Sequence, residues 1–297
     1  MVGVMTTIEN ATLPVDGAEL YYEIRGTGPM LLLSQSGEGD AGRSEALVRN
    51  LEHEFTVVTY DRRGLSRSVI HDTNRRPSIA DHADDVHRLL AAVTDEPVLM
   101  VGCSMGASIG LHLATTHPEQ VHTLIAHEPV SPWLLAATDR AHHMRELEHC
   151  QQVCRAEGWQ AALAPMARTL GINPADQETE PGVQLPPLTP ERARNFTYFI
   201  EQDFTAVRED WVDVARLTRT TTRILPGVGR RTPTQVFDRH CAIELSELLG
   251  VELTEFPGGH NGNLTHPAAY AETIRRVAHP RGDLSETAAR MRQSAVS

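Results

Sequence analysis

The residues of this sequence best placed for chemistry are Gly102-Cys103-Ser104-Met105-Gly106. A Gly-x-Ser-x-Gly run suits a nucleophile where it joins a strand to a helix, because the turn then thrusts the hydroxyl out of the backbone. Here the apolar run Pro97-Val98-Leu99-Met100-Val101 precedes it, and a helical segment from Met105 to about Thr116 follows. On so tight a turn, side chains two positions before and after the serine would strike the helix and neighbouring strands, which accounts for both glycines. Ser104 would also stand at the carboxyl end of a strand and at a helix N-terminus, where open α/β sheets bind ligands and negative charge is stabilised. The chemistry indicated is attack on an acyl carbon, which requires a base for the hydroxyl proton and donors for the oxyanion.

The surrounding elements must deliver those partners. Two strand-like runs, Ile8 to Leu13 and Glu19 to Ile24, flank the turn signal Asp16-Gly17 and read as an antiparallel hairpin. Met30-Leu31-Leu32-Leu33 has no alternation, as expected of a parallel strand buried on both faces. Strand and helix signals then alternate: a helix around Ser44 to Leu51, a strand Phe55 to Tyr60, a helix Ile79 to Val93, the Pro97 to Val101 strand, the Met105 helix and a strand Val121 to Ala126. In the Ile79 helix, Asp81, Asp84 and Asp85 lie near the start, where carboxylates suit the helix dipole. This alternation predicts an α/β fold with a doubly wound, mostly parallel sheet, led by the antiparallel hairpin.

Strand signals stop near Pro129 and resume at Thr221 to Leu225 and Val251 to Phe256, separated by a helix near Cys241 to Leu249 and followed by a helix Pro267 to Val277. Between the two halves lie helical segments, Arg140 to Glu157, Trp159 to Leu170 and Pro190 to Thr205, and a Pro- and Gly-rich loop, Gly171 to Pro190. The expected organisation is a core of residues 1–128 and 218–280, a helical cap inserted at 129–217, and a tail or short helix at 281–297. Aromatic residues of the insert could line a hydrophobic pocket; Trp133, just beyond Glu128 at the hinge, is the one expected to approach it, the others packing cap against core.

From Leu31 to about Val130, and again from Val251 to Pro267, the chain resembles the α/β-hydrolase fold family, particularly its esterase-like, cap-bearing members. The residues that carry the resemblance are Asp61-Arg62-Arg63-Gly64-Leu65-Ser66-Arg67-Ser68, Gly102-Cys103-Ser104-Met105-Gly106, His117-Pro118-Glu119 and Gly258-Gly259-His260. The resemblance implies that His260, after the last strand, is the general base. For the acid, most such proteins carry an aspartate a few residues after the strand that follows the cap. Here Ile224-Leu225-Pro226-Gly227-Val228-Gly229 runs into Arg230-Arg231, and no carboxylate appears before Asp238. The family's other acid position, the end of the strand after the nucleophile helix, is occupied by Glu128, which keeps the order Ser104, Glu128, His260 and shares a sheet edge with both. Glu128 is therefore the expected acid, with Asp238 as the alternative.

The oxyanion hole is expected to use the backbone N–H of Met105 and a second donor from the loop after the first parallel strand. The usual His-Gly pair is missing there, and Ser34-Gln35-Ser36-Gly37-Glu38-Gly39 replaces it; Gly37 is the expected donor, Ser36 the next. The function implied is hydrolysis of an ester, lactone or thioester of a small, hydrophobic molecule through an acyl-enzyme. Two other readings stand beside it on this fold: a cofactor-free oxygenase or perhydrolase using a similar triad, and a non-catalytic ligand-binding homologue.

Composition narrows the classes further. The chain has 297 residues, a formal charge of −12 and no lysine, so all 27 of its basic residues are arginine. The acidic balance argues against nucleic acid or anionic membrane as a partner, and the absence of lysine removes Schiff-base, pyridoxal phosphate and P-loop chemistry. No apolar run is long enough to span a bilayer, and residues 1–7 lack signal-peptide features, so a cytoplasmic location is expected. The expected partner is a small-molecule substrate, a homodimer being the one assembly left open, with no metal and no organic cofactor. The four cysteines show no disulfide spacing, and His142-His143 and His149-Cys150 read as solvated cap positions rather than metal sites.

Overall fold

A nine-stranded sheet organises the protein, whose computed structural model describes residues 8–73, 75–172 and 177–278. Its strands are β1 (Glu9–Val15), β2 (Ala18–Arg25), β3 (Met30–Ser34), β4 (Thr56–Tyr60), β5 (Val69–Ile70), β6 (Val98–Cys103), β7 (Val121–His127), β8 (Arg223–Gly229) and β9 (Thr254–Phe256). They lie in the order β1-β2-β4-β3-β6-β7-β8-β9, with β5 paired to β2. The hairpin β1–β2 joins β4 antiparallel, and every pairing from β4 to β9 is parallel. The short β5 and a one-turn helix, α10 below, carried no sequence signal.

Helices α1 (Glu45–Leu51), α2 (Ile79–Val93) and α3 (Met105–Thr116) connect the first parallel strands. Between β7 and β8 come α4 (Ala137–Glu157), α5 (Trp159–Thr169), α6 (Pro190–Tyr198), a π-helical turn (Phe199–Asp203), α7 (Phe204–Glu209) and α8 (Val214–Leu217). Then follow α9 (Phe237–Leu249), α10 (Gly262–Thr265) and α11 (Pro267–Ala278). Residues 281–297, read from sequence as a tail or short helix, lie outside the described residues.

The unalternating run of β3 has its physical counterpart in two separate cores. Leu31 and Leu33 pack on the face covered by α1 and α11, beside Leu47, Leu51 and Ile274. Leu32 points the other way, into the core that includes Val86 and Leu90 of α2 and Ile109 of α3. Because successive strand side chains face opposite layers, a strand covered on both sides must be apolar at every position. Helix α2 starts at a capping box: Ser78 Oγ accepts from the Asp81 N–H at 3.2 Å, and Asp81 Oδ2 accepts from the Ser78 N–H at 2.8 Å. Such caps contribute about 1 kcal/mol.

Three local expectations need correction. Asp85 does not serve the α2 dipole: it is buried and takes a two-point bond from Arg63, at 2.6 and 2.5 Å. His143 is not solvated but buried against Phe237, its Nδ1 2.6 Å from Glu146 Oε2, whereas His142 and His149 are exposed. Helix α9 begins at Phe237, not near Cys241, because Phe237 and Asp238 are fully buried and start its inward face. The four cysteines are free and buried. Among the described residues no helix is long and apolar enough to cross a membrane.

Candidate active site

Ser104 occupies the turn between β6 and α3 with φ 56° and ψ −116°, backbone angles that a residue bearing a side chain rarely adopts. The strain is held by packing. A Cβ on Gly102 would lie 2.5 Å from Gly106 O and 2.7 Å from Ala107 Cα, and one on Gly106 would collide with Ser34 O. The first glycine lets α3 fold back onto β6; the second lets α3 press against the end of β3, where the Ser34–Gly39 loop begins. The Ser104 N–H is anchored by His127 O at 2.8 Å.

Glu128 follows β7 directly and also has positive φ, 45°. That conformation is fixed at both ends: its N–H donates to Gly227 O at 2.9 Å, and its Oε1 accepts from the Gly229 N–H at 2.8 Å. Its other oxygen, Oε2, accepts from His260 Nδ1 at 2.8 Å. Asp238 Oδ2 approaches the same nitrogen, at 2.5 Å, but lies out of line with its N–H and makes no aligned hydrogen bond. Both sequence candidates for the acid thus meet His260, and the directional bond goes to Glu128.

All three groups are buried, which makes their ionisation interdependent. Burial opposes the charged form of Glu128, but the hydrogen bond from His260 and the neighbouring His127 and His260 outweigh it and hold the carboxyl at about 2. For Asp238 burial prevails, aided by the negative charge of Glu128, so its carboxyl titrates above the usual range despite the pull of His260. Burial disfavours the imidazolium of His260 as well, yet Asp238 and Glu128 together push it up to about 10. The ionisation of each group therefore depends on that of the other two. His260 Nε2 is buried and has no hydrogen-bond partner among the described residues.

Ser104 and His260 line one cavity, together with Ser36 and Gly37. Arg62 sets the orientation of that loop. It is fully buried, donates from Nη1 to Ser36 O at 3.1 Å and from Nη2 to Gly37 O, and is held by Asp203 Oδ2 at 2.8 Å. In a trans peptide the N–H points opposite to the carbonyl of the same unit. With the Ser36 carbonyl turned to Arg62, the Gly37 N–H faces away from the guanidinium. Met105 is the first residue of α3, so its N–H has no partner within the helix. No reading of the sequence singled out Arg62; the Asp61-Arg62-Arg63-Gly64 motif was visible, but its target lies 25 residues away and its counterion 141.

The cavity is completed by the segment between β7 and β8: Leu163, Met166 and Leu170 from α5 and its end, with Phe196 and Phe199. Trp133, the aromatic residue expected to reach it, does not line it. Its indole N–H is given to Asp210 Oδ2 at 3.2 Å and its ring lies against Trp211, which turns it into the packing around α7 and α8.

The model of the alpha/beta hydrolase fold family matches residues 29–148. An uncharacterized hydrolase of Bacillus subtilis, YraK, is 35% identical over 272 residues, covering 90% of this chain and 95% of its own. A zearalenone hydrolase of Cladophialophora bantiana is 25% identical over 277 residues, with 90% and 95% covered. Among solved structures, a hydrolase from Pseudomonas aeruginosa superposes with a TM-score of 0.66 at 23% identity, over 89% of this chain and 96% of that one. Full-length similarity to a hydrolase at this level, on a sheet carrying a strained serine turn, means that the chain belongs to the α/β-hydrolase family and is a hydrolase.

Proposed function

We propose that this hydrolase cleaves an ester-type bond, that of an ester, lactone or thioester, in a small hydrophobic molecule, through an acyl-enzyme formed on Ser104. The observation that carries the reading is the position of His260: Nδ1 is bonded to Glu128, while Nε2 has no partner among the described residues and the imidazole shares a cavity wall with Ser104. His260 Nε2 takes the Ser104 proton as Oγ bonds to the acyl carbon, and the oxyanion is met by the N–H groups of Met105 and Gly37. Collapse breaks the bond to the leaving alcohol or thiol, which takes the proton from Nε2. Water then repeats the sequence and frees the acid.

For His260 to act as base its imidazole must be neutral, while Glu128 stays ionised to stabilise the imidazolium that forms. Apolar side chains of α5 and the Phe196 and Phe199 rings would receive the hydrophobic part of the substrate. The test is Ser104→Ala, assayed on a panel of esters and lactones and by fluorophosphonate labelling. Both turnover and labelling should disappear, and activity surviving in the variant would refute the nucleophile.

A further inference from the structure

We propose that the cavity recognises a carboxylate on the substrate through Arg43, whose partner Glu38 is shared with Arg192. The inference rests on the hydrolase reading above and adds the substrate's charge to it.

Two arginines, Arg43 and Arg192, line the cavity with Ser104, and among the described lining residues the one carboxylate is Glu38. Glu38 Oε1 receives Arg43 Nη2 at 2.9 Å and Arg192 Nη2 at 2.7 Å. Both guanidinium groups therefore lean on the same anion, and the carboxylates that pair with His260, Glu128 and Asp238, are not among the described lining residues. Asp40 also attracts Arg43 from nearby; its Oδ2 accepts from Ser66 Oγ at 2.7 Å, and it is not among the described lining residues.

The donors of the two arginines are used differently. Arg192 gives Nε and Nη2 to Glu38 at 3.3 and 2.7 Å, and Nη1 to the carbonyls of Pro186 and Pro187 at 2.7 and 2.9 Å. It is spent on structure. Among the described residues Arg43 makes a polar contact only from Nη2, and its buried Nε has no partner. Burial lowers the hold of Arg43 on its proton; Glu38 partly restores it, and the like charge of Arg192 lowers it further. An underbonded guanidinium against apolar side chains is costly unless a ligand supplies the missing acceptor. A carboxylate matches the fork of a guanidinium, so the fitting substrate has an apolar body, a scissile acyl bond and a carboxylate at one end.

The experiment compares matched esters. For a charge on the acyl side, mono-p-nitrophenyl adipate is set against p-nitrophenyl hexanoate; for a charge on the alcohol side, 4-(hexanoyloxy)benzoate is set against phenyl hexanoate. In one of the two pairs the charged ester should be preferred by about tenfold or more in kcat/KM, through KM, as expected of a charge-assisted contact. Arg43→Gln should bring that ratio towards unity, and Glu38→Gln, which removes the competing carboxylate, should raise it. No preference in either pair, or a loss in Arg43→Gln equal for charged and neutral esters, would overturn the inference and leave Arg43 as a structural partner of Glu38.

Calorimetric binding of hexanoate, with hexanamide as control, separates the two readings. Hexanoate bound by the wild-type protein but not by Arg43→Gln upholds the carboxylate site even if no ester is cleaved. Equal binding by both proteins would overturn the site, whatever the enzyme hydrolyses.

Discussion

His260 gives its Nδ1 proton to Glu128 Oε2 at 2.8 Å, across 132 residues of chain. A second carboxylate, Asp238, presses on the same nitrogen without an aligned bond, and the division of labour between the two acids is open to direct test.

Glu128→Gln should lower kcat by about a thousandfold or more, since losing the aligned acid misorients the base. Asp238→Asn keeps that bond and should cost far less at its optimal pH. Steady-state kinetics of both variants decide the matter, and the opposite ranking would make Asp238 the acid.

The pH profile follows from the pull of two carboxylates on one imidazole. His260 holds its proton more tightly than a free imidazole, up to about 10 against 6.5, so kcat/KM should rise with pH on a limb displaced to the alkaline side of 6.5. Asp238→Asn removes a negative neighbour and should move that limb to lower pH. The same shift links to stability: the contribution of a proton bound more tightly in the folded state is complete below about 6.5 and is lost as pH climbs through about 10.

Arg62 couples the Ser36–Gly37 loop, proposed to supply an oxyanion donor, to the π-helical turn through Asp203. Asp203→Asn weakens that hold without emptying the site, and kcat should fall by about tenfold or more with KM changing less, in keeping with a misaligned oxyanion donor. Equal kcat in variant and wild type would remove Arg62 from the positioning of Gly37.

Gly37 lies directly beneath the Phe199 ring, so that a Cβ there would overlap it. Gly37→Ala should reduce activity sharply, and Phe199→Ala in the same chain should recover part of it. Absence of any rescue in the double variant would mean that the loop backbone itself, rather than the ring, rejects the methyl group.

Asp85 sits under Arg63, where the bidentate pair is almost wholly shielded from water. Asp85→Ala leaves the guanidinium buried and unanswered, a loss of about 3–5 kcal/mol in the free energy of unfolding. Denaturant titration measures it, and a loss below about 1 kcal/mol would place the pair in the class of surface bridges.

The sequence by itself determined the alternation of strand and helix, the Gly-x-Ser-x-Gly turn, the His260 loop and both acid candidates. These signals are local: an apolar run without alternation, glycines at two fixed offsets from Ser104, a carboxylate at a strand end. Only the tertiary structure decided which carboxylate bonds to His260, because that depends on the positive φ of Glu128 and on an α9 that begins at Phe237 and carries Asp238 inward. It also decided the walls of the cavity. Trp133 read as a pocket residue from its place in the chain, yet its N–H found Asp210, while Phe199, Arg43 and Glu38 reached Ser104 from segments far apart in sequence. A side chain's destination is set by partners that folding brings together, and those separations leave no trace in local spacing.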